Sequence, residues 1–180
     1  MAYLILDRDG VINQDSDDYI KSPEEWIAIP GSLEAIAKAN RAGFRVIVVT
    51  NQSGLARGYF DINMLNAMHQ KLHKKLARLG GEIEAIFFCP HLPDEGCECR
   101  KPKPGMLKEI QERLNISLEK VWFVGDSYSD IKAARAAGAI PKLVRTGKGE
   151  RTMAADNELS DVEIFSDLAA CIDTLLEEKN

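Results

Sequence analysis

The chain is expected to fold as a doubly wound parallel α/β sheet. Three features predict this: short apolar runs rich in β-branched and aromatic residues, longer amphipathic stretches between them, and regular alternation of the two kinds along the 180 residues. Apolar runs without period-two alternation suit central strands covered on both faces. A β, α, β, α order in turn implies parallel strands joined by right-handed crossovers.

The first strand is expected at 3–6, followed by a polar, acidic segment at 11–30 with no periodicity. Helical spacing returns at 32–42, with Ser32 placed to cap its start and Gly43 to end it. A strand at 46–50 leads to a helix at 61–79, where Leu65, Met68, Leu72, Leu76 and Leu79 share one face. Asp61 is its N-cap candidate and Gly80 its stop. After a strand at 85–89, residues 89–105 hold four of the seven prolines and three of the four cysteines, so regular structure does not order them. Helices at 104–114, 128–138 (stopped by Gly138) and 166–178 surround strands at 121–124 and 142–144. No repeat, low-complexity tract or linker interrupts the chain, and one domain over 1–180 is expected.

Composition narrows the function. Apolar residues at 45% and charged residues at 28% describe an ordinary soluble chain. The longest strictly apolar run is the six residues 1–6, far below the ~20 needed for a membrane span, and no export signal is visible. A cytoplasmic chain with no membrane partner is therefore expected. A net charge of −5 argues against broad binding to nucleic acid or anionic lipid, yet a local cluster of cations can still hold an anionic small molecule.

The chemistry is expected where polar residues follow strands, because the carboxyl edge of an open α/β sheet is where ligands bind. Asp7-Arg8-Asp9-Gly10 leaves the first strand with two carboxylates on one side of the backbone, and Gly10 permits a sharp turn. Such a pair is a solvated acidic turn unless a cation joins the two charges or one takes a proton. Each escape is useful: a carboxylate beside a divalent ion can attack phosphorus, and a neighbour of raised pKa can protonate a leaving alkoxide. Gly125-Asp126-Ser127-Tyr128-Ser129-Asp130 leaves a later strand in the same manner, so Asp126 completes an oxygen-rich set suited to Mg²⁺. Asp130 is better placed as partner to a lysine or a backbone amide. Thr50-Asn51-Gln52-Ser53-Gly54 offers a hydroxyl and amides for phosphate oxygens, and Arg100-Lys101-Pro102-Lys103-Pro104 offers three cations. Taken singly, these last two are ordinary polar turns.

In the order Asp-x-Asp, Thr, Lys, Gly-Asp-x-x-x-Asp, the four segments together resemble the haloacid dehalogenase superfamily of phosphohydrolases over nearly the whole chain. The resemblance implies a Rossmann-like sheet, with Asp7 as a nucleophile that becomes an aspartyl-phosphate and Asp9 as acid and then base. It implies that Thr50 and Lys101 hold the phosphoryl oxygens, with Lys103 a secondary candidate. Mg²⁺ would lie on the Asp7 and Asp126 carboxylates and the Asp9 main-chain carbonyl.

Cys89, His91, Cys97 and Cys99 supply four soft ligands within the proline-rich loop, as a closed structural Zn²⁺ site requires. A zinc staple would order the loop that carries Arg100 and Lys101; disulfides or free thiols are the alternatives. Cys171 lies apart, in a helical stretch, and reads as a buried thiol. His69 and His73, four apart on a helix, lack further ligands and read as ordinary helix positions. A zinc loop in place of a large cap domain resembles the subgroup holding the heptose bisphosphate phosphatases and the histidinol phosphate phosphatases. The first implies a small-molecule sugar bisphosphate, a place in lipopolysaccharide biosynthesis, and contacts from Asp15, Tyr19, Asn51, Gln52 and Ser53. Arg57 and Arg100 are the candidates for a second phosphate. Histidinol phosphate, the alternative, carries a cation for which Asp15, Asp17 and Asp18 would form an acidic wall. A zinc-stabilised module that binds a phosphorylated ligand without turnover is the reading from outside the enzymes. A monomer is expected.

Overall fold

The structure, a computed structural model, describes residues 2–155 and 158–179; Met1, at the head of the first apolar run, lies outside them. Among the described residues, six parallel strands form one sheet in the order β3-β2-β1-β4-β5-β6. They are β1 (Ala2–Leu6), β2 (Phe44–Asn51), β3 (Ala85–Cys89), β4 (Trp122–Gly125), β5 (Ile140–Val144) and β6 (Glu163–Phe165). The helices are α1 (Ser32–Arg41), α2 (Ile62–Ala77), α3 (Gly105–Leu114), α4 (Tyr128–Ala137), α5 (Gly149–Ala154) and α6 (Leu168–Lys179). The expected doubly wound fold is the one observed.

The apolar runs are continuous because both sides of the sheet are covered. Leu4, Leu6, Val46 and Val48 pack with α1, α2 and α6 on one face. Ile5, Ile47, Val49 and Phe123 pack with α3 and α4 on the other. Strand order reverses between β1 and β4, and at this switch point the strand ends diverge and leave a crevice. The motifs after β1 and β4 both open into it.

Two elements escaped the sequence reading. Strand β6 has three residues and α5 six, too short for either periodicity to register. Asp61 caps α2 as expected, accepting from the Met64 amide at 2.8 Å. Ser32 does not cap α1: the helix begins on it, Gly31 precedes with φ 85°, and the Ser32 hydroxyl donates to Val11 O at 2.9 Å. That bond ties the acidic segment to the first helix. No helix among the described residues is long and apolar enough to cross a membrane.

Candidate active site

Strands β1 and β4 are neighbours, so their carboxyl ends bring together carboxylates that lie more than a hundred residues apart. Ligand oxygens of Asp7, Asp126 and Asp130 all lie within 4.8 Å of one another. The loop after β5 closes the group from a third side. Thr146 donates to Gly10 O at 2.6 Å, and the Lys148 amide donates to Asp126 Oδ2 at 2.8 Å. Here only glycine fits. A Cβ on Gly10 would stand 2.0 Å from Asp126 Oδ2, and one on Gly147 2.2 Å from the same atom, while both backbones have positive φ.

Three buried carboxylates this close resist ionisation. Burial, then the Asp130 charge, push Asp7 up to about 7 in spite of Lys101, and burial, then the Asp7 and Asp130 charges, push Asp126 up to about 8. A divalent cation resolves the conflict by rewarding the ionised forms, and hard carboxylate oxygens are the donors Mg²⁺ takes. The donor set therefore fits the metal.

Lys101 is the buried counter-charge. Its Nζ lies 2.9 Å from Asp7 Oδ1 and 2.7 Å from Asp130 Oδ1 as an ion pair with each, and it donates to Val49 O at 2.9 Å. Burial favours the neutral amine, but the Asp130 and Asp7 charges outweigh it and raise the pKa. Lys103 pairs instead with Glu98 on the surface. Asp130 is a partner of the expected kind. Beyond Lys101, its Oδ2 accepts from the Asp126 amide at 3.2 Å, the Ser127 amide at 3.1 Å and the Ser127 hydroxyl at 2.8 Å, fixing the start of α4.

Asp9 departs from expectation. A neighbour of raised pKa was anticipated, but the opposite shift is found: burial alone would raise it, yet the Arg8 charge and hydrogen bonds from Asn13, Arg8 and Gln52 bring it below its ordinary value. Arg8 grips it from Nε at 3.0 Å and Nη2 at 2.9 Å, Asn13 Nδ2 donates at 2.8 Å, and Gln52 Nε2 donates at 3.0 Å. Because Arg8 is fully buried, this ion pair is little screened.

The cleft above these groups holds about 480 Å³, within the ~300–1,000 Å³ usual for small-molecule sites. Asp7, Asp9, Thr50, Asn51, Gln52, Ser53, Arg100, Lys101 and Asp126 line it, as do Asp15 and Tyr19 from the acidic segment. Some of these side chains are already engaged. The Asn51 amide donates to Lys101 O at 3.1 Å and accepts from Lys101 N at 3.0 Å, so it holds the lysine's backbone in place. Gln52 Nε2 is shared between Asp9 and the Thr50 hydroxyl, at 3.0 and 2.9 Å. Arg57 does not line the cleft; it is exposed and lies over the Tyr19 ring at 5.6 Å, while Tyr59 meets that ring edge-on at 5.1 Å.

The acidic wall foreseen for a cationic ligand is largely neutralised. Asp17 receives two bonds from Arg151, at 2.9 and 2.8 Å, Asp15 faces Lys148 at 3.4 Å, and Asp18 does not line the cleft. Lys148, Ser16, Ile20, Ser127 and Ser129 also line it and were missed by the sequence reading. Ser127 and Ser129 lay in plain view beside Asp126. Lys148 carried no motif, and only the closure of the β5–α5 loop brings it here.

The cysteine loop joins the cleft through Arg100. Sγ of Cys89, Cys97 and Cys99 and Nδ1 of His91 lie within 4.8 Å of one another. Separations of 3.0, 3.2, 3.5 and 3.6 Å approach the edges of about 3.5–3.8 Å that Zn–S of ~2.3 Å and Zn–N of ~2.0 Å set for a tetrahedron. All four cysteines are free, so the disulfide alternative is not found. Cys171 is buried, as expected.

Comparison with known proteins agrees with this geometry. A family model described as HAD-hyrolase-like matches residues 98–171. The D-glycero-beta-D-manno-heptose-1,7-bisphosphate 7-phosphatase of Pseudomonas aeruginosa is 56% identical over 176 residues, covering 98% of each chain. That of Pseudomonas putida is 59% identical over 170 residues, covering 94% of this chain and 97% of its own. Among solved structures, D,D-heptose 1.7-bisphosphate phosphatase from B. bronchiseptica, complexed with magnesium and phosphate, superposes with a TM-score of 0.97 at 53% identity, covering 99% of both chains. With its strand-end carboxylates, buried lysine and near-complete alignment to these enzymes, the chain belongs to the HAD-like phosphatase family of the D-glycero-beta-D-manno-heptose-1,7-bisphosphate 7-phosphatases.

Proposed function

We propose that this chain is a Mg²⁺-dependent phosphatase that removes the 7-phosphate of D-glycero-β-D-manno-heptose 1,7-bisphosphate, supplying heptose 1-phosphate for lipopolysaccharide. The observation that carries the chemistry is the meeting of Asp7, Asp126, Asp130 and Lys101 at the β1–β4 switch point. The Asp7 and Asp126 carboxylates and the Asp9 main-chain carbonyl would hold Mg²⁺, whose charge offsets the negative phosphoryl oxygens and carboxylates. Asp7 attacks phosphorus, the bond from phosphorus to the C7 oxygen breaks, and the departing alkoxide takes a proton from Asp9. Asp9 then accepts a proton from water as that water attacks phosphorus, releasing phosphate and freeing Asp7. Thr50 and Lys101 orient the phosphoryl oxygens, and Lys101 favours the ionised form of Asp7 against burial.

A protonated Asp9 is needed only with substrate bound. Phosphate oxygens near the Arg8–Asp9 pair raise the carboxyl's pKa by like charge. The second phosphate finds cations in Arg100 and Lys148, and Tyr19, which lines the cleft and packs against Tyr59 and Arg57, bounds the sugar. With Asp17 bound to Arg151, a bisphosphate suits this wall better than the ammonium of histidinol phosphate. On one preparation, kcat/KM for the heptose bisphosphate is expected to exceed that for histidinol phosphate roughly 100-fold or more. Equal or reversed values overturn the substrate assignment.

The Cys89, His91, Cys97, Cys99 cluster is read as a structural Zn²⁺ site that aims Arg100 and Lys101. Protein purified under reducing conditions should contain about one zinc per chain by elemental analysis. Extracting that zinc should make 89–105 protease-sensitive and raise KM roughly 10-fold. Metal-free protein with full affinity and an intact loop would refute the staple. Thiolate ligands suit a reducing cytoplasm. We assign the activity to a monomeric single domain over 1–180.

A further inference from the structure

Arg8 lies between the proposed nucleophile and the proposed acid in sequence, yet its guanidinium is fully buried and cannot be reached by water. Its Nε and Nη2 protons go to Asp9. Its Nη1 goes elsewhere, to Nε2 of His69 at 3.2 Å, on α2 and 61 residues away. A guanidinium has no acceptor, so His69 Nε2 must carry the lone pair and the imidazole proton must sit on Nδ1. Burial, then the charges of Arg8 and His73, push His69 down to about 3, which keeps the ring neutral and able to accept. The histidine therefore closes the one side of Arg8 that Asp9 leaves open.

We propose that His69 is a positioning residue for catalysis: by accepting from Arg8 Nη1 it fixes the plane of the guanidinium, and through that plane the Asp9 carboxylate. This rests on the reading of Asp9 as acid and base. A guanidinium presents three edges, and the edge facing Asp9 is chosen by what holds the remaining nitrogen. Without an acceptor at His69, Nη1 would be a buried donor with no partner, and the plane would turn to find one. The carboxylate would follow, leaving its line to the C7 oxygen and to the attacking water.

The test compares His69→Leu, which cannot accept, with His69→Gln, whose Oε1 reaches the same region and can. On heptose 1,7-bisphosphate, His69→Leu should lower kcat roughly 10-fold or more with KM within about 2-fold, and His69→Gln should return kcat to within about 3-fold of the unsubstituted enzyme. A structural defect alone would not be rescued by the acceptor. Unchanged kcat in His69→Leu, or a His69→Gln as slow as His69→Leu, overturns the proposal. Should His69→Leu fail to fold, nitrogen NMR of the unsubstituted protein at neutral pH still decides: a Nδ1–H, Nε2-accepting tautomer is expected, and a proton on Nε2 overturns it. Asp9→Asn separates the two readings. If it is inactive while His69→Leu is normal, only the role of His69 falls; if it is active, the assignment of Asp9 falls first and the role of His69 with it.

Discussion

Asp7→Asn is expected to lower turnover by roughly four orders of magnitude or more while leaving the fold and the cysteine cluster intact. An amide is too poor a nucleophile to take the phosphoryl group. Folding should not suffer, because ionisation of Asp7 is opposed by burial and the charge of Asp130, and Lys101 keeps Asp130 as its partner. The consequence for pH follows from linkage. A carboxyl whose folded pKa lies above its unfolded value favours the fold while protonated, and that contribution is lost as pH rises through the folded value. With Asp7 moved from 3.8 to about 7 and Asp126 from 3.8 to about 8, metal-free protein should lose stability between about pH 4 and pH 8. Asp7→Asn removes one of these groups and relieves the other of its neighbour's charge, so its profile should be flatter. Denaturant midpoints in the presence of chelator, taken across that range, check this. A variant that keeps normal turnover, or whose profile is steeper than the parent's, contradicts the role given to Asp7.

Lys101→Met should damage both activity and stability. The methionine matches the alkyl stem but removes ion pairs with Asp7 and Asp130 and a hydrogen bond to Val49 O, from a side chain that is almost wholly buried. Breaking one side of a buried ion pair costs about 3–5 kcal/mol, because the partner charge is left without compensation. Loss of a preorganised cation beside the reacting phosphate should lower kcat by roughly 10²–10³. Adding Asp130→Asn separates the effects. The asparagine oxygen can occupy the place of Oδ2 and keep the Asp126 and Ser127 donors, while the unpaired charge is gone. The double variant should therefore regain most of the stability and none of the rate. Equal stability of Lys101→Met and the parent, by chemical denaturation, would show that the lysine is not the counter-charge described here.

The fold was legible because its signals are local. An apolar run of four or five residues followed by Asp, Thr or Gly-Asp states both a buried strand and a polar strand end, and any parallel sheet collects its strand ends at one rim. Asp7, Asp9, Thr50 and Asp126 could be placed at that rim from the strand ends, Lys101 was singled out from Arg100 and Lys103 by the family resemblance, and the Cys-x-His and Cys-x-Cys pairs could be placed together within one loop. Strand β6 and helix α5 could not, since three and six residues do not complete a recognisable period.

What only the tertiary structure decided is which charge faces which. Arg151 neutralises Asp17 across 134 residues, Lys148 enters the cleft on a loop held by Thr146 and Gly147, and His69 reaches Arg8 from another helix. The direction of the Asp9 shift belongs to the same class, since the Gln52 that helps hold it follows a different strand, β2. Periodicity and motif order depend on neighbours along the chain, so the sequence alone determined the sheet and the residues at its rim. Protonation and pairing depend on distance through a poorly screened interior, and that distance exists only once the chain has folded.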